Sequence, residues 1–221
     1  MFNQLRPSTE PGSVRRRRGF LRRPIGEGRR NGQSIVEFAL VVPLFVLLLV
    51  GIIEFAFALN SVLAVNFATR EAALVAAEAG NADGSDCVIL QRIEDSVGAP
   101  SDRANVTTVK IFRTDRNGVR KETNTYTRTP SSPTACIVSG TPMSVPYSIP
   151  GGENYEDTKR CNVLAGCKAN APMAATLAVD QIGVEVTYSY TWRTPLAGLL
   201  GLTGPGYTII QANAMRMEPI L

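Results

Sequence analysis

Ile35 to Leu59 reads IVEFALVVPLFVLLLVGIIEFAFAL, apolar except for Glu37 near its start and Glu54 near its end. At about 1.5 Å per residue, the stretch from Gln33 to Glu54 rises roughly 30 Å, one hydrocarbon thickness. The expectation is therefore a membrane-spanning helix with Glu54 at the far interface. Pro43 removes one backbone donor inside it, which a membrane helix tolerates when local adjustment satisfies the freed carbonyl. The run is too long for the core of a secretory signal peptide, and no small-residue cleavage pattern follows it. Instead the chain goes on as FAFALNSVLAVNFATREAALVAAEAG, where Val62, Val65, Ala68, Ala72, Val75, Ala76 and Ala79 fall on one broad helical face and Glu71 and Glu78 fall off it. One helix is predicted from about Ser34 to Ala79, stopped by Gly80. Its alanine-rich face suits either packing on the protein's own sheet or close approach of neighbouring helices in an assembly.

Charge divides the chain at the start of this helix. Residues 1–32 carry nine arginines against Glu10 and Glu27, while the remaining 14 basic and 17 acidic side chains leave the rest slightly acidic. Arginines that stop just before an apolar run follow the positive-inside rule, placing the head in the cytoplasm and the remainder across the membrane. The head lies among Pro and Gly with no helical apolar period, so it offers no face for recognising nucleic acid. All four cysteines, Cys87, Cys136, Cys161 and Cys167, lie on the side that would be exported, where disulfides form. A zinc site is the competing use, but there is no histidine and there are no paired CxxC knuckles.

Glu37 carries the most weight, because an ionised carboxylate about a turn into a membrane helix is costly and normally needs a partner. Gln33, one turn earlier, brings no charge. If the chain were cut after Gly32, Gln33 would carry a new amine four residues before Glu37, and the two could neutralise each other within or between subunits. The plainer alternative is that Glu37 snorkels into the inner headgroup layer. Gly32 followed by Gln33, Ser34, Ile35, Val36, Glu37 and Phe38 resembles the processing site of type IV prepilins, with glycine before the cut and glutamate fifth in the mature chain. None of Gly12, Gly19, Gly26 or Gly28 has a glutamate five residues later. More narrowly, NGQSIVEFALVVPLFVLLLVGIIEFAFALN resembles the TadE-like family, pseudopilins of the tight-adherence pilus system, including Pro43 and the second acid, Glu54. VEVTYSYTWRTPL and IIQANAMRMEP are similar to that family's closing strands. The resemblance implies cleavage by a prepilin peptidase after Gly32, residence in the inner membrane, and partnership with other pilin-like subunits, pilus assembly machinery and an adhesion or secretion apparatus.

Beyond Gly80 the pattern changes to short alternating runs. Val106 to Arg113 and Val119 to Arg128, joined by the turn signal DRNG, predict a hairpin. Ile182 to Trp192 and Tyr207 to Met217 predict two further strands. Between 129 and 181, Pro130, Pro133, Pro142, Pro146, Pro150 and Pro172 argue against regular structure, and so long a loop needs a staple. Three disulfide connectivities are open; the favoured one closes a small ring through Cys161 and Cys167 and ties Cys87 to Cys136. The charge-free connection PLAGLLGLTGPG reads either as a short helix packed into the core or as an exposed apolar loop that meets a partner or the outer leaflet. The fold class is α+β, a long N-terminal membrane-spanning helix followed by a small antiparallel sheet of about four strands with a disulfide-stapled loop. The divisions fall at 1–32 (basic cytoplasmic leader), 33–80 (helix) and 81–221 (extracytoplasmic domain).

No catalytic constellation emerges. The absence of histidine removes Ser/His/Asp and Cys/His nucleophile systems, no phosphate loop is present, and no cofactor is expected. Glu153, Glu156 and Asp157 in GGENYED lack EF-hand spacing, so a solvated loop is expected there rather than a calcium site. Two classes remain: a pilin-like subunit or assembly factor, and an uncleaved membrane-anchored extracytoplasmic binding protein.

Overall fold

The computed structural model describes residues 30–115, 117–138, 140–162, 179–201, 204 and 206–217. Helix α1 spans Arg30–Ala79 and continues through Pro43. The chain separates into two compact units, Met1–Phe45 and Val46–Leu221, with the division inside α1. In the first unit the described side chains are almost all exposed. The most apolar window of α1 has none of its residues buried, and the helix is long and apolar enough to cross a membrane.

In the second unit α1 forms a wall of the hydrophobic core. Val65, Ala68, Ala72, Ala73 and Ala76 are buried while Glu71 and Glu78 stay exposed, so the alanine face packs on the protein's own domain. Small side chains there let the helix approach the sheet closely. Asn213 Nδ2 donates to Thr69 Oγ1 at 2.8 Å, and Asn66 Nδ2 donates to Gln211 Oε1 at 3.3 Å. Gly80 follows at φ 60°, the left-handed turn that ends a helix at low cost only in glycine.

The strands are β1 (Val106–Thr114), β2 (Arg120–Arg128), β3 (Thr134–Val138), β4 (Thr141–Val145), β5 (Tyr147–Ser148), β6 (Gln181–Ser189) and β7 (Thr208–Arg216). Among the described residues they form an antiparallel five-stranded sheet in the order β5-β2-β1-β6-β7 and a separate β3-β4 hairpin. The hairpin β1-β2 and the closing strands β6 and β7 lie where alternation predicts them. Val109, Ile111, Val184 and Val186 face inward and join α1 in one core.

Two expectations need correction. Ser85–Ser96 is a helix, α2, and not part of an alternating stretch: Ile89, Leu90 and Ile93 are buried at helical spacing. The proline-rich region after 129 is also not wholly irregular, since it supplies β3, β4 and β5. Pro142 sits within β4 opposite Ile137; in a two-stranded ribbon each strand has a free edge, so the missing N–H breaks no ladder. The staple is present as Cys87–Cys136, with Cα atoms 6.4 Å apart, joining α2 to β3. Cys161 is also disulfide-bonded; Cys167, its expected partner, lies outside the described residues, as do residues 1–29 of the expected leader.

The sheet's outer face is polar, with Glu185 between Lys110 at 2.9 Å and Arg120 at 2.5 Å. Burial alone would raise the Glu185 carboxyl, but hydrogen bonds and charge from Lys110 and Arg120 outweigh it and hold the group below the ordinary range. Arg120 also lies over the Phe112 ring, 4.2 Å from its centroid. Gly183, opposite Phe112 in the register, leaves room for that ring: a Cβ there would stand 2.4 Å from two ring carbons. Gly183→Ala is expected to cost about 2 kcal/mol by overpacking, read as a lowered urea midpoint, and Phe112→Leu in the same chain is expected to recover part of it. An unchanged midpoint for Gly183→Ala would refute the close fit.

Candidate functional site

The described end of α1 brings the predicted processing residues together. Gly32 is exposed, and a Cβ built on it would meet nothing within 4 Å. One turn on, Gln33 Nε2 donates to Glu37 Oε1 at 3.0 Å. In the uncut chain the carboxylate thus has a neutral donor on the preceding turn. Pro43 lies further along the same exposed apolar surface.

Glu54 has a different environment from the one its sequence position suggests. It is only 4% exposed, because the connection between β6 and β7 folds over it. Tyr190 Oη donates to Glu54 Oε1 at 2.5 Å, the Arg193 amide donates to the same oxygen at 3.1 Å, and the Thr194 amide donates to Oε2 at 2.7 Å. A carboxylate with three donors is well solvated by protein, so Glu54 acts as a latch between α1 and the end of β6. Its partners stand at least 136 positions away in sequence.

Beside the latch lies an apolar groove of about 430 Å³. Gly51, Phe55 and Leu59 of α1 form one wall, and Trp192, Leu196 and Leu200 the other. The short helix α3, Leu196–Leu199, exists as one alternative predicted, but only its Ala197 is buried. Leu199 is 76% exposed and Leu200 57%, so the other alternative, an exposed apolar connection, describes the leucines better. Tyr190 stacks near Tyr207, centroids 5.0 Å apart, and meets Trp192 edge-on at 6.2 Å. Sequence reasoning passed over this aromatic group; its signal was YSYTW and GY flanking a charge-free apolar stretch.

A second polar cluster holds the folded domain together. Asp86 at the start of α2 pairs with the buried Arg160. It also accepts from Tyr126 Oη at 2.6 Å and Asn124 Nδ2 at 3.0 Å. Burial, reinforced by the Asp86 charge, pushes the Tyr126 phenol well above its ordinary range, so it remains a donor. The Asn124 side chain, fully buried, also accepts from the amides of Asn154 and Tyr155 at 2.8 and 2.7 Å and donates to the Tyr155 carbonyl at 2.8 Å. GGENYED is therefore only partly the solvated loop expected: Glu153 is exposed, but Tyr155 is buried with its hydroxyl on Asp180. Two turns along α2, Glu94 takes both terminal nitrogens of Arg128 and the Tyr147 hydroxyl. Among the described residues, no group of three or more Asp, Glu, Cys or His side chains is placed to hold a metal ion.

The geometry thus separates three parts of the chain: an exposed apolar helix with an acid one turn inside its start, a latch where that helix meets the folded domain, and an ion-paired scaffold. Neither curated proteins nor solved structures give a match to the chain. Residues 32–74 match the family model described as TadE-like protein. That stretch begins at the glycine of the expected cut and ends within the core-facing half of α1, so Gly32, Gln33, Glu37, Pro43 and Glu54 all fall within the matched residues.

Proposed function

We propose that the chain is a non-catalytic, pilin-like subunit or assembly factor of a tight-adherence pilus or related secretion apparatus. In this reading a prepilin peptidase hydrolyses the Gly32–Gln33 bond on the cytoplasmic side of the inner membrane. The helix then anchors the mature protein, and the domain after Gly80 lies outside the cytoplasm. The observation that carries it is the placement of Glu37 one turn after Gln33, on a helix end exposed on every side. Hydrolysis there leaves an ammonium on Gln33, which exchanges a neutral amide partner for a cation and favours packing of the helix against copies or relatives of itself.

Mass measurement of the membrane-fraction protein tests the cut: a mature chain beginning at Gln33 is expected. Chains retaining all nine leader arginines in the working complex would favour the uncleaved, anchored binding protein instead. Glu37→Ala is expected to leave membrane insertion unchanged and to reduce incorporation into the assembled apparatus about tenfold, the loss of one partly buried charge pair. Co-purification with the assembled fraction reads this out, and normal incorporation would remove the charge-pairing mechanism.

A further inference from the structure

We propose that the connection between β6 and β7 is a second membrane contact, a foot that enters the outer leaflet beside α1 with Leu199 and Leu200 among the acyl chains and Trp192 and Tyr207 at the headgroups. The inference rests on the membrane-anchored reading of α1 and adds to it. Its first support is depth. If Gln33 to Glu54 crosses the hydrocarbon, Gly51 lies about one turn, roughly 5 Å, inside the outer boundary. A Cβ on Gly51 would touch Leu196 Cδ2 at 3.9 Å, so α3 sits at the same level and shares the lipid's side of that boundary.

Composition and exposure agree with this depth. From Thr194 to Met215 the chain has no charged residue, Leu199 and Leu200 are exposed, and Leu200 lines the groove together with Phe55 of α1, which is itself exposed. Trp192 and Tyr207 are a little over one-third exposed and flank the leucines, the arrangement favoured where an amphipathic ring meets headgroups. Arg193 lies over the Phe57 ring, 5.8 Å from its centroid, with its charge at the end of the connection where a lipid phosphate would stand.

Non-helical backbone is tolerated near hydrocarbon only where its polar groups are satisfied. Here the Arg193 and Thr194 amides are taken by Glu54. The amides of Leu199, Leu200 and Gly201 bond within the turn of α3, and Tyr190 N bonds Tyr207 O. The latch therefore does two things: it fixes the foot to α1, and it turns the Glu54 carboxylate away from lipid.

Trp192 is the sole tryptophan, so the full chain reports on itself. Reconstituted in phosphatidylcholine–phosphatidylglycerol vesicles, it is expected to show blue-shifted emission. Lipids brominated near the headgroup are expected to quench it about twofold, and lipids brominated near the chain ends less, as for an interfacial ring. Leu199→Asp with Leu200→Asp should relieve the quenching while α1 stays resistant to alkaline extraction, and Leu199→Phe should preserve it. Unquenched Trp192 in protein whose α1 resists extraction overturns the foot and leaves the anchor standing. Shielding of Trp192 that appears only at high protein-to-lipid ratio, with copies cross-linking through the groove, overturns it in favour of a second copy. Release of α1 by alkali removes the anchor reading itself.

Discussion

Arg160→Met is expected to lower the unfolding free energy by about 3–5 kcal/mol, the cost of leaving a buried carboxylate without its counter-ion. Arg160 is 2% exposed and Asp86 6%, so water cannot replace the lost charge. Arg160 also donates to Ser85 Oγ at 2.8 Å and lies over the Tyr155 ring, 4.8 Å from its centroid, so one side chain joins α2 to the segment around Tyr155. Burial opposes its charge, yet Asp86, together with Tyr155 and Asp157, outweighs burial and holds the guanidinium above its ordinary value. Methionine preserves much of the volume, which separates charge loss from cavity formation. Adding Asp86→Asn is expected to recover more than half of the deficit, because the orphaned charge is gone while Tyr126 and Asn124 retain an oxygen to bond. Urea unfolding of the detergent-solubilised chain by far-UV circular dichroism measures both variants. Additive losses in the double variant would show that the two residues do not act as a pair.

Glu54→Ala is expected to cost about 3 kcal/mol, since it leaves Tyr190 Oη and two backbone amides without their acceptor in a site largely closed to water. Glu54→Gln is expected to cost about 1 kcal/mol, because the amide keeps one accepting oxygen but presents a donor where another acceptor stood. The thermal midpoint follows the whole domain, and Trp192 emission follows the connection locally. If the Glu54→Ala variant unfolded at the wild-type midpoint with unchanged emission, Glu54 would not be a latch.

The same acid shows where sequence was sufficient and where it was not. α1 was legible because length and hydropathy belong to one contiguous segment, and its alanine face because helical periodicity repeats over several turns. Strands β1, β2, β6 and β7 were legible through alternation. Glu54 was visible as an acid in an apolar run, but its donors come from a strand end that no local pattern ties to it, so only its membrane position could be inferred. α2 escaped because it starts after Gly84 without a side-chain cap and its polar residues Asp86 and Glu94 sit on the buried side, blurring the amphipathic signal. Both acids are inward because arginines from distant segments meet them. Asn124, in the alternating TNTYT, looks like any strand polar residue until the loop at Tyr155 closes on it. β3 and β4 were hidden by prolines that are unfavourable in a central strand and harmless in a ribbon.

Because the core-facing half of α1 is a wall of the folded domain, a fragment that keeps the fold must begin within α1 and not after it. A fragment starting after Gly80 would be missing Val65, Ala68, Ala72 and Ala76, and with them the surface on which the sheet closes. In chain order that surface precedes every described strand, and β6 and β7, which complete the layer against it, follow the other five. The wall is thus in place well before the layer it supports can assemble.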